Sequence, residues 1–186
     1  AIIINDINRA YSGEKLEPEG YTSYDLALDN RDALAGDIYK NAENYYKSVF
    51  EHAGGSISFY PDKNGAAPTA ELYHRETRSI SLQDVKEFCK KHGITENVFF
   101  ISAFGITLGK YNFKKDAVFT TIYHGRNDSR LSETVGMLVK TLPVFCDFSG
   151  TAKDCLSGVQ KQLIDSMNND IYPFSQISHE FDIKAN

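Results

Sequence analysis

The sequence predicts an α/β domain in which a layered sheet is flanked by helices. Three observations carry this expectation. Helix-like and strand-like stretches interleave along the chain, the pattern of layered α/β domains. One helix-length stretch, "VFFISAFGITL", is apolar almost all round, as a helix buried against a sheet must be. Turn chemistry separates the pieces, with no internal repeat and no low-complexity linker.

Residues 2–11 place Ile3, Ile4, Ile7 and Tyr11 at helical spacing, and Gly13 ends the pattern. The loop "SGEKLEPEGYTSYDLALDN" leads into a short helix around Ser23 to Asp29. Residues 31–53 read as the next helix, with Leu34, Ile38, Ala42, Tyr45, Tyr46, Val49 and Phe50 forming one apolar stripe that Gly54-Gly55 closes. "YPDKNGAAPT" has turn composition, and "AELYHRETRSIS" reads as a strand with one polar face. Ser81 with Asp84 has capping-box spacing and opens a helix running to about Lys91, ended by His92-Gly93. Thr95 caps a second helix over residues 96–111. "DAVFTTIYH" reads as a buried strand and "LVKTLPVFCDF" as another, where Pro143, lacking an amide hydrogen, favours an edge or a bulge. Thr151 with Asp154 opens a helix whose buried stripe is Ala152, Cys155, Leu156, Val159, Leu163 and Met167. A helical turn near residues 175–181 ends the chain.

The 186 residues suit one domain, and 41% apolar residues with 12 Phe and 11 Tyr are enough to build a sizeable core. A formal charge of −5 without any Lys/Arg block argues against a nucleic acid or an anionic membrane as partner. No apolar run approaches the roughly 18 residues of a membrane span. Cys89, Cys146 and Cys155 contain no CxxC pair, which fits a reducing, cytoplasmic setting better than a disulfide framework. "AIIINDINRAY" opens in apolar residues without an initiator Met, and the chain reads as a segment of something longer.

His124 and Asp128 have the His-x-x-x-Asp spacing of several acyl-transfer motifs. A strand-end histidine beside an Asn/Asp turn has the same spacing. Gly125 allows close backbone approach, and Arg126 beside it is either a fork for a carboxylate or a solvated loop arginine. None of the five histidines pairs with another His or Cys at metal-ligand spacing, so no metal site is expected. GxSxG, GxGxxG and phosphate-loop motifs are absent. Tyr45, Tyr46, Phe99 and Phe100 read as core.

Five passages, in order, resemble the condensation domains of nonribosomal peptide synthetases, members of the chloramphenicol-acetyltransferase-like group. They are "INDINRAYSGEKLEPEGYTSYDLAL", "AENYYKSVF", "TENVFFISAFGITLGKYNFKKDAVFTTIYHGR", "ETVGMLVKTLPV" and "IYPFSQI". The resemblance implies one incomplete lobe of that fold. Residues 1–186 would be the first part of a C-terminal lobe, with the N-terminal lobe and the catalytic His-His-x-x-x-Asp-Gly motif absent. Tyr123 to Ser129 then match the family's Gly-Arg turn, which makes the His124/Asp128 spacing coincidental and leaves the chain without a catalytic residue of its own. Arg126, with Gly125, is expected to support the active site by pairing with the aspartate of the catalytic motif. Thr141, Leu142 and Pro143 are expected to line a tunnel wall or lobe interface. Lys140 stands where the family more often has Asn, and Leu138 where it has Phe.

The implied activity is amide bond formation between acyl groups held as thioesters on the phosphopantetheine of carrier proteins. No cofactor is expected to bind directly, and the partners are carrier-protein domains and the missing lobe. An epimerisation domain or other acyltransferase of the same fold, or a non-catalytic carrier-docking domain, are the alternatives.

Overall fold

Side chains that satisfy free backbone amides set most helix starts. The computed structural model describes residues 2–51, 53, 55–59 and 79–183. In chain order it contains α1 (Ile2–Tyr11), α2 (Ser23–Leu34), α3 (Asp37–Phe50), α4 (Leu82–His92), α5 (Glu96–Tyr111), β1 (Asp116–Tyr123), a 3-10 turn (Ser129–Leu131), β2 (Lys140–Asp147), α6 (Ala152–Asn168) and α7 (Phe174–Phe181). Thr22 and Thr151 form full capping boxes with Asp25 and Asp154, each hydroxyl accepting an amide while the carboxylate returns to the cap. Ser81 and Thr95 make the accepting half, taking the amides of Asp84 and Val98.

β1 and β2 pair antiparallel, from Asp116 opposite Asp147 to Tyr123 opposite Lys140. Because side chains alternate across a strand, each face of this ribbon meets a different layer. Ala117, Phe119, Val144 and Cys146 join the core formed with α4, α5 and α6. Val118 belongs to a second core with Ala42, Tyr46 and Phe50 of α3, Tyr172, and Ile177 of α7, and Phe145 packs against it. The architecture is therefore the expected layered α/β lobe, helix-rich around a small sheet.

Each long edge of the ribbon is engaged at its middle. On β1, the amide of Ile57 donates to the Val118 carbonyl at 3.0 Å. On β2, the Gln162 carboxamide of α6 receives the Phe145 amide at 3.1 Å and donates to the Pro143 carbonyl at 3.0 Å. Pro143 thus sits in an edge strand, where its missing donor costs nothing.

The close seat of α5 on the sheet depends on two glycines one turn apart. A Cβ on Gly105 would lie 2.7 Å from Cys146 Cβ, and one on Gly109 would lie 2.3 Å from Phe148 Cζ and 2.8 Å from the Asp116 carbonyl. On the other layer, Tyr45 hydroxyl donates to the Gln162 carbonyl (3.0 Å) and lies 3.1 Å from Ser166 Oγ, while Tyr46 hydroxyl donates to the Ser166 carbonyl (3.3 Å). Burial raises Tyr45 to about 12 against the opposing pull of Ser166, and raises Tyr46 as well.

Four expectations need correction. The helix over 31–53 is two helices: α2 ends at Leu34, Gly36 caps α3, and the interruption leaves Leu34 and Ile38 exposed rather than in the stripe. Phe100, read as core, is exposed on α5. In α6, Ala152 is exposed and Ser166, held by the two tyrosines, is buried instead. The second strand begins at Lys140 rather than Leu138. The turn at 60–69, the closing Gly54 and the strand at 70–81 lie outside the described residues, except for 79–81, which carry no strand and lead into α4.

Two outcomes follow from this packing. Gly105→Ala is expected to lower stability by about 1–3 kcal/mol through overpacking. Gly158→Ala, at an α6 position with nothing within 4 Å of the added carbon, is expected to raise it by about 0.5–1 kcal/mol; paired urea titrations check both signs. Tyr45 ionises near pH 10 when unfolded and near 12 when folded. Its contribution is therefore complete below pH 10 and lost as pH rises toward 12. Tyr45→Phe is expected to flatten stability against pH in that window, measured by thermal melts.

Candidate functional site

A two-residue turn could join β1 to β2, yet residues 124–139 intervene, and their internal bonds define the site. Gly125 opens the excursion. It is buried at φ +70°, and a Cβ there would lie 1.8 Å from the Leu138 carbonyl oxygen. Only glycine both adopts this conformation easily and lets the returning chain pass so close.

Arg126 closes the loop from within. Its half-buried guanidinium donates to the carbonyls of Leu131 and Thr134, the latter at 3.1 Å. Its amide donates to His124 Nδ1 at 3.0 Å. Among the described residues, no carboxylate pairs with it. Instead it lines an open groove of about 650 Å³ with Ile2, Ile3, Ile4, Thr134 and Val135. Thr134 is itself buried and donates to the Tyr21 carbonyl at 2.6 Å, which fixes the loop to the segment ahead of α2.

His124 and Asp128 do not cooperate. The His124 Nδ1 lone pair is occupied by the Arg126 amide. The Asp128 carboxylate accepts from the Arg130 amide and guanidinium, which holds it below the usual carboxylate range. Asp128 also caps the 3-10 turn. No hydrogen bond or ion pair joins the two among the described residues, so the acyl-transfer spacing has no geometry behind it.

Arg130 anchors a cluster that sequence reasoning missed. It reaches Asp128 at 2.6 Å and Asp29 at 3.1 Å, and lies 4.4 Å over the Tyr21 ring, whose hydroxyl donates to Asp29. The short Asp128–Arg130 separation is a local signal; nothing local ties either to Tyr21 or Asp29.

The first residues of β2 line a second groove of about 490 Å³. Thr141 and Leu142 line it with Lys140, Asp170, Tyr172 and Phe174. Pro143 is buried, with its carbonyl turned to Gln162. The structure therefore brings Thr141 and Leu142 to one surface and leaves Pro143 behind them. Lys140, half-buried, donates to the Asp170 carbonyl at 3.1 Å and meets its carboxylate at 2.9 Å. Asp170 is a partner that the sequence did not announce.

Chemically, the arrangement offers a rigid glycine turn, a positioned cation on one groove, and a second groove at the start of β2. Among the described residues there is no cluster of His, Cys, Asp and Glu fit for a metal. No described helix is long and apolar enough to cross a membrane.

Comparison with known proteins gives the geometry its context. The chain is 28% identical over 180 residues to nonribosomal peptide synthetase sidC of Arthroderma benhamiae, matching 95% of this chain and 3% of that protein. It is 28% identical over 195 residues to surfactin synthase subunit 1 of Bacillus subtilis, matching 98% and 5%. Among solved structures it is similar to the SgcC5 protein of Streptomyces globisporus, with a TM-score of 0.77 at 21% identity, covering 97% of this chain and 43% of that one. It is also similar to the first condensation domain of the calcium-dependent antibiotic synthetase, with a TM-score of 0.70 at 14% identity, covering 93% and 39%. The chain thus spans a small part of the curated relatives and about two-fifths of the solved chains. The family profile described as "Condensation domain" matches residues 1–186 throughout, and the chain belongs to that family.

Proposed function

We propose that the protein carrying this chain joins two acyl groups, each held as a thioester on the phosphopantetheine arm of a carrier protein, into an amide. On this reading the amine of one attacks the thioester carbonyl of the other, and the thiol of the donor arm leaves. The chain is the first part of a C-terminal lobe and supplies one wall of the cleft, while the histidine motif belongs to a preceding lobe. Carrier-protein domains are the partners, a cytoplasmic location accompanies this chemistry, and no cofactor binds the chain directly. Membership of the condensation family over the full chain carries the proposal, and the site is consistent with it. Tethered substrates in a closed channel need orientation above all, because holding reactants in register accounts for much of such a rate.

Within this scheme Arg126 is a positioning residue. Its fork, fixed by two carbonyls and bordering the groove with Ile2 to Ile4, receives the aspartate of the histidine motif and holds that loop in place. Thr141 and Leu142 serve as groove wall, and Pro143 sets the strand behind them.

The test uses the intact protein with both carriers loaded. Amide formation is the expected product. Inversion of a tethered residue without an amide would assign an epimerising member of the fold, and carrier binding without turnover a docking domain. Arg126→Ala is expected to slow amide formation about 100-fold, the scale of a displaced reacting group, with carrier affinity unchanged and Arg126→Lys restoring little because the planar fork is lost. Wild-type turnover and stability in Arg126→Ala would remove this role. Gly125→Ala is expected to cost at least about 2 kcal/mol from backbone strain and the Leu138 clash, read as a lowered urea midpoint.

A further inference from the structure

The sequence keeps its three cysteines apart, but the fold brings two of them into contact. Cys146, near the end of β2, and Cys155, in the first turn of α6, have their sulfurs 3.3 Å apart. Both are buried, at 0% and 3% exposure. Gly105 of α5 closes the space on the other side of Cys146: an added Cβ there would lie 2.8 Å from its sulfur. Helix backbone therefore blocks movement of that sulfur toward α5, and Cys155 is its neighbour on the open side.

The two thiols are not equivalent. Cys155 lines an open groove of about 560 Å³ between α3, β2 and α6, together with Tyr45, Asp147, Gly150 and Gln162. The hydrogen bond between the sulfurs lowers the Cys155 thiol and, with burial, raises that of Cys146. Of the two sulfurs, the one that borders the groove is Cys155. A thiolate is the attacking species in disulfide exchange, and access decides which thiol reacts first.

We propose that Cys146 and Cys155 are a redox modification site that closes to a reversible disulfide, pinning the end of β2 to the start of α6 and stabilising the fold. The co-reactant is a low-molecular-weight disulfide of the glutathione type. Cys155 thiolate attacks one sulfur of that disulfide, forming a mixed disulfide and releasing one small thiolate, which takes up a proton. Cys146 then gives up its proton and attacks Cys155 Sγ, and the second small thiolate leaves. The protein loses two protons and two electrons, and the small disulfide becomes two thiols. Cys89, free and buried elsewhere in the same core, takes no part.

Trypsin cuts after Lys153, between the two cysteines, so the linkage is directly readable. Reduced, purified protein is incubated with oxidised glutathione, alkylated and digested. The expected product is peptide 141–153 joined to peptide 154–161, with Cys89 alkylated. The linked form is expected to melt about 5 °C higher and to return to the starting value with dithiothreitol. Cys155→Ser is expected to abolish the linkage; should that variant not fold, Cys89→Ser, which keeps the pair, is expected to link as fully as wild type. Free thiols at both positions, glutathione retained on Cys155, linkage through Cys89, or a linked form that melts no higher would each overturn the proposal.

Discussion

A two-stranded ribbon is marginal in water by itself, and the rest of this lobe is organised around hiding one. Its two faces carry different apolar sets, so two helical layers are required rather than one. α5 and α6 take Ala117, Phe119, Val144 and Cys146, while α3 and α7 take Val118 and Phe145. Its edges also need closure, since bare strand edges invite pairing with other chains. The Ile57 amide closes one at Val118 and the Gln162 carboxamide closes the other at Phe145 and Pro143. A side-chain amide can stand in for a neighbouring strand here because it presents an N–H donor and a carbonyl acceptor side by side, as a peptide group does.

That rigid ribbon is what allows a long irregular loop to hold a defined shape. Loop polar groups away from water must find partners, and in residues 124–139 they find them largely within the loop and in the segment around Tyr21. Arg126 gathers the Leu131 and Thr134 carbonyls, and Thr134 Oγ1 reaches the Tyr21 carbonyl. The Asp128–Arg130–Asp29 group adds charge contacts, but these are well exposed and contribute little net stability. The buried and half-buried hydrogen bonds therefore do more to shape the loop than the more conspicuous ion pairs.

Local sequence carried much of this. The capping spacings of Ser81, Thr95 and Thr151 and the all-round apolarity of α5 place helices from information within a few residues. The strands were legible from their runs, and the Gly-Arg turn from the family pattern. What stayed hidden depends on contacts between distant residues. Whether the apolar face of α1 is covered, whether Leu34 continues a stripe across Gly36, and how Arg130 meets Asp29 are settled by packing that no short window contains. Cys146 and Cys155 show the same limit: nine residues apart, they meet because β2 leads directly into α6.

The state of Arg126 also bears on why a cleft would be built this way. A guanidinium offers five donors, and here two bonds go to neutral carbonyls, which orient the group without neutralising its charge. Holding a long side chain in one rotamer ordinarily costs up to about 2 kcal/mol when a partner docks. In this loop the backbone has already imposed that order, so under the proposed role a carboxylate would meet a fork that is in position. The same carbonyls keep the charge tolerable, since a half-buried cation without compensating oxygens would disfavour the fold. Gly125 is the precondition for both effects, because a side chain there would push away the Leu138 carbonyl and with it the return of the loop. The turn therefore presents a preoriented cation at a groove.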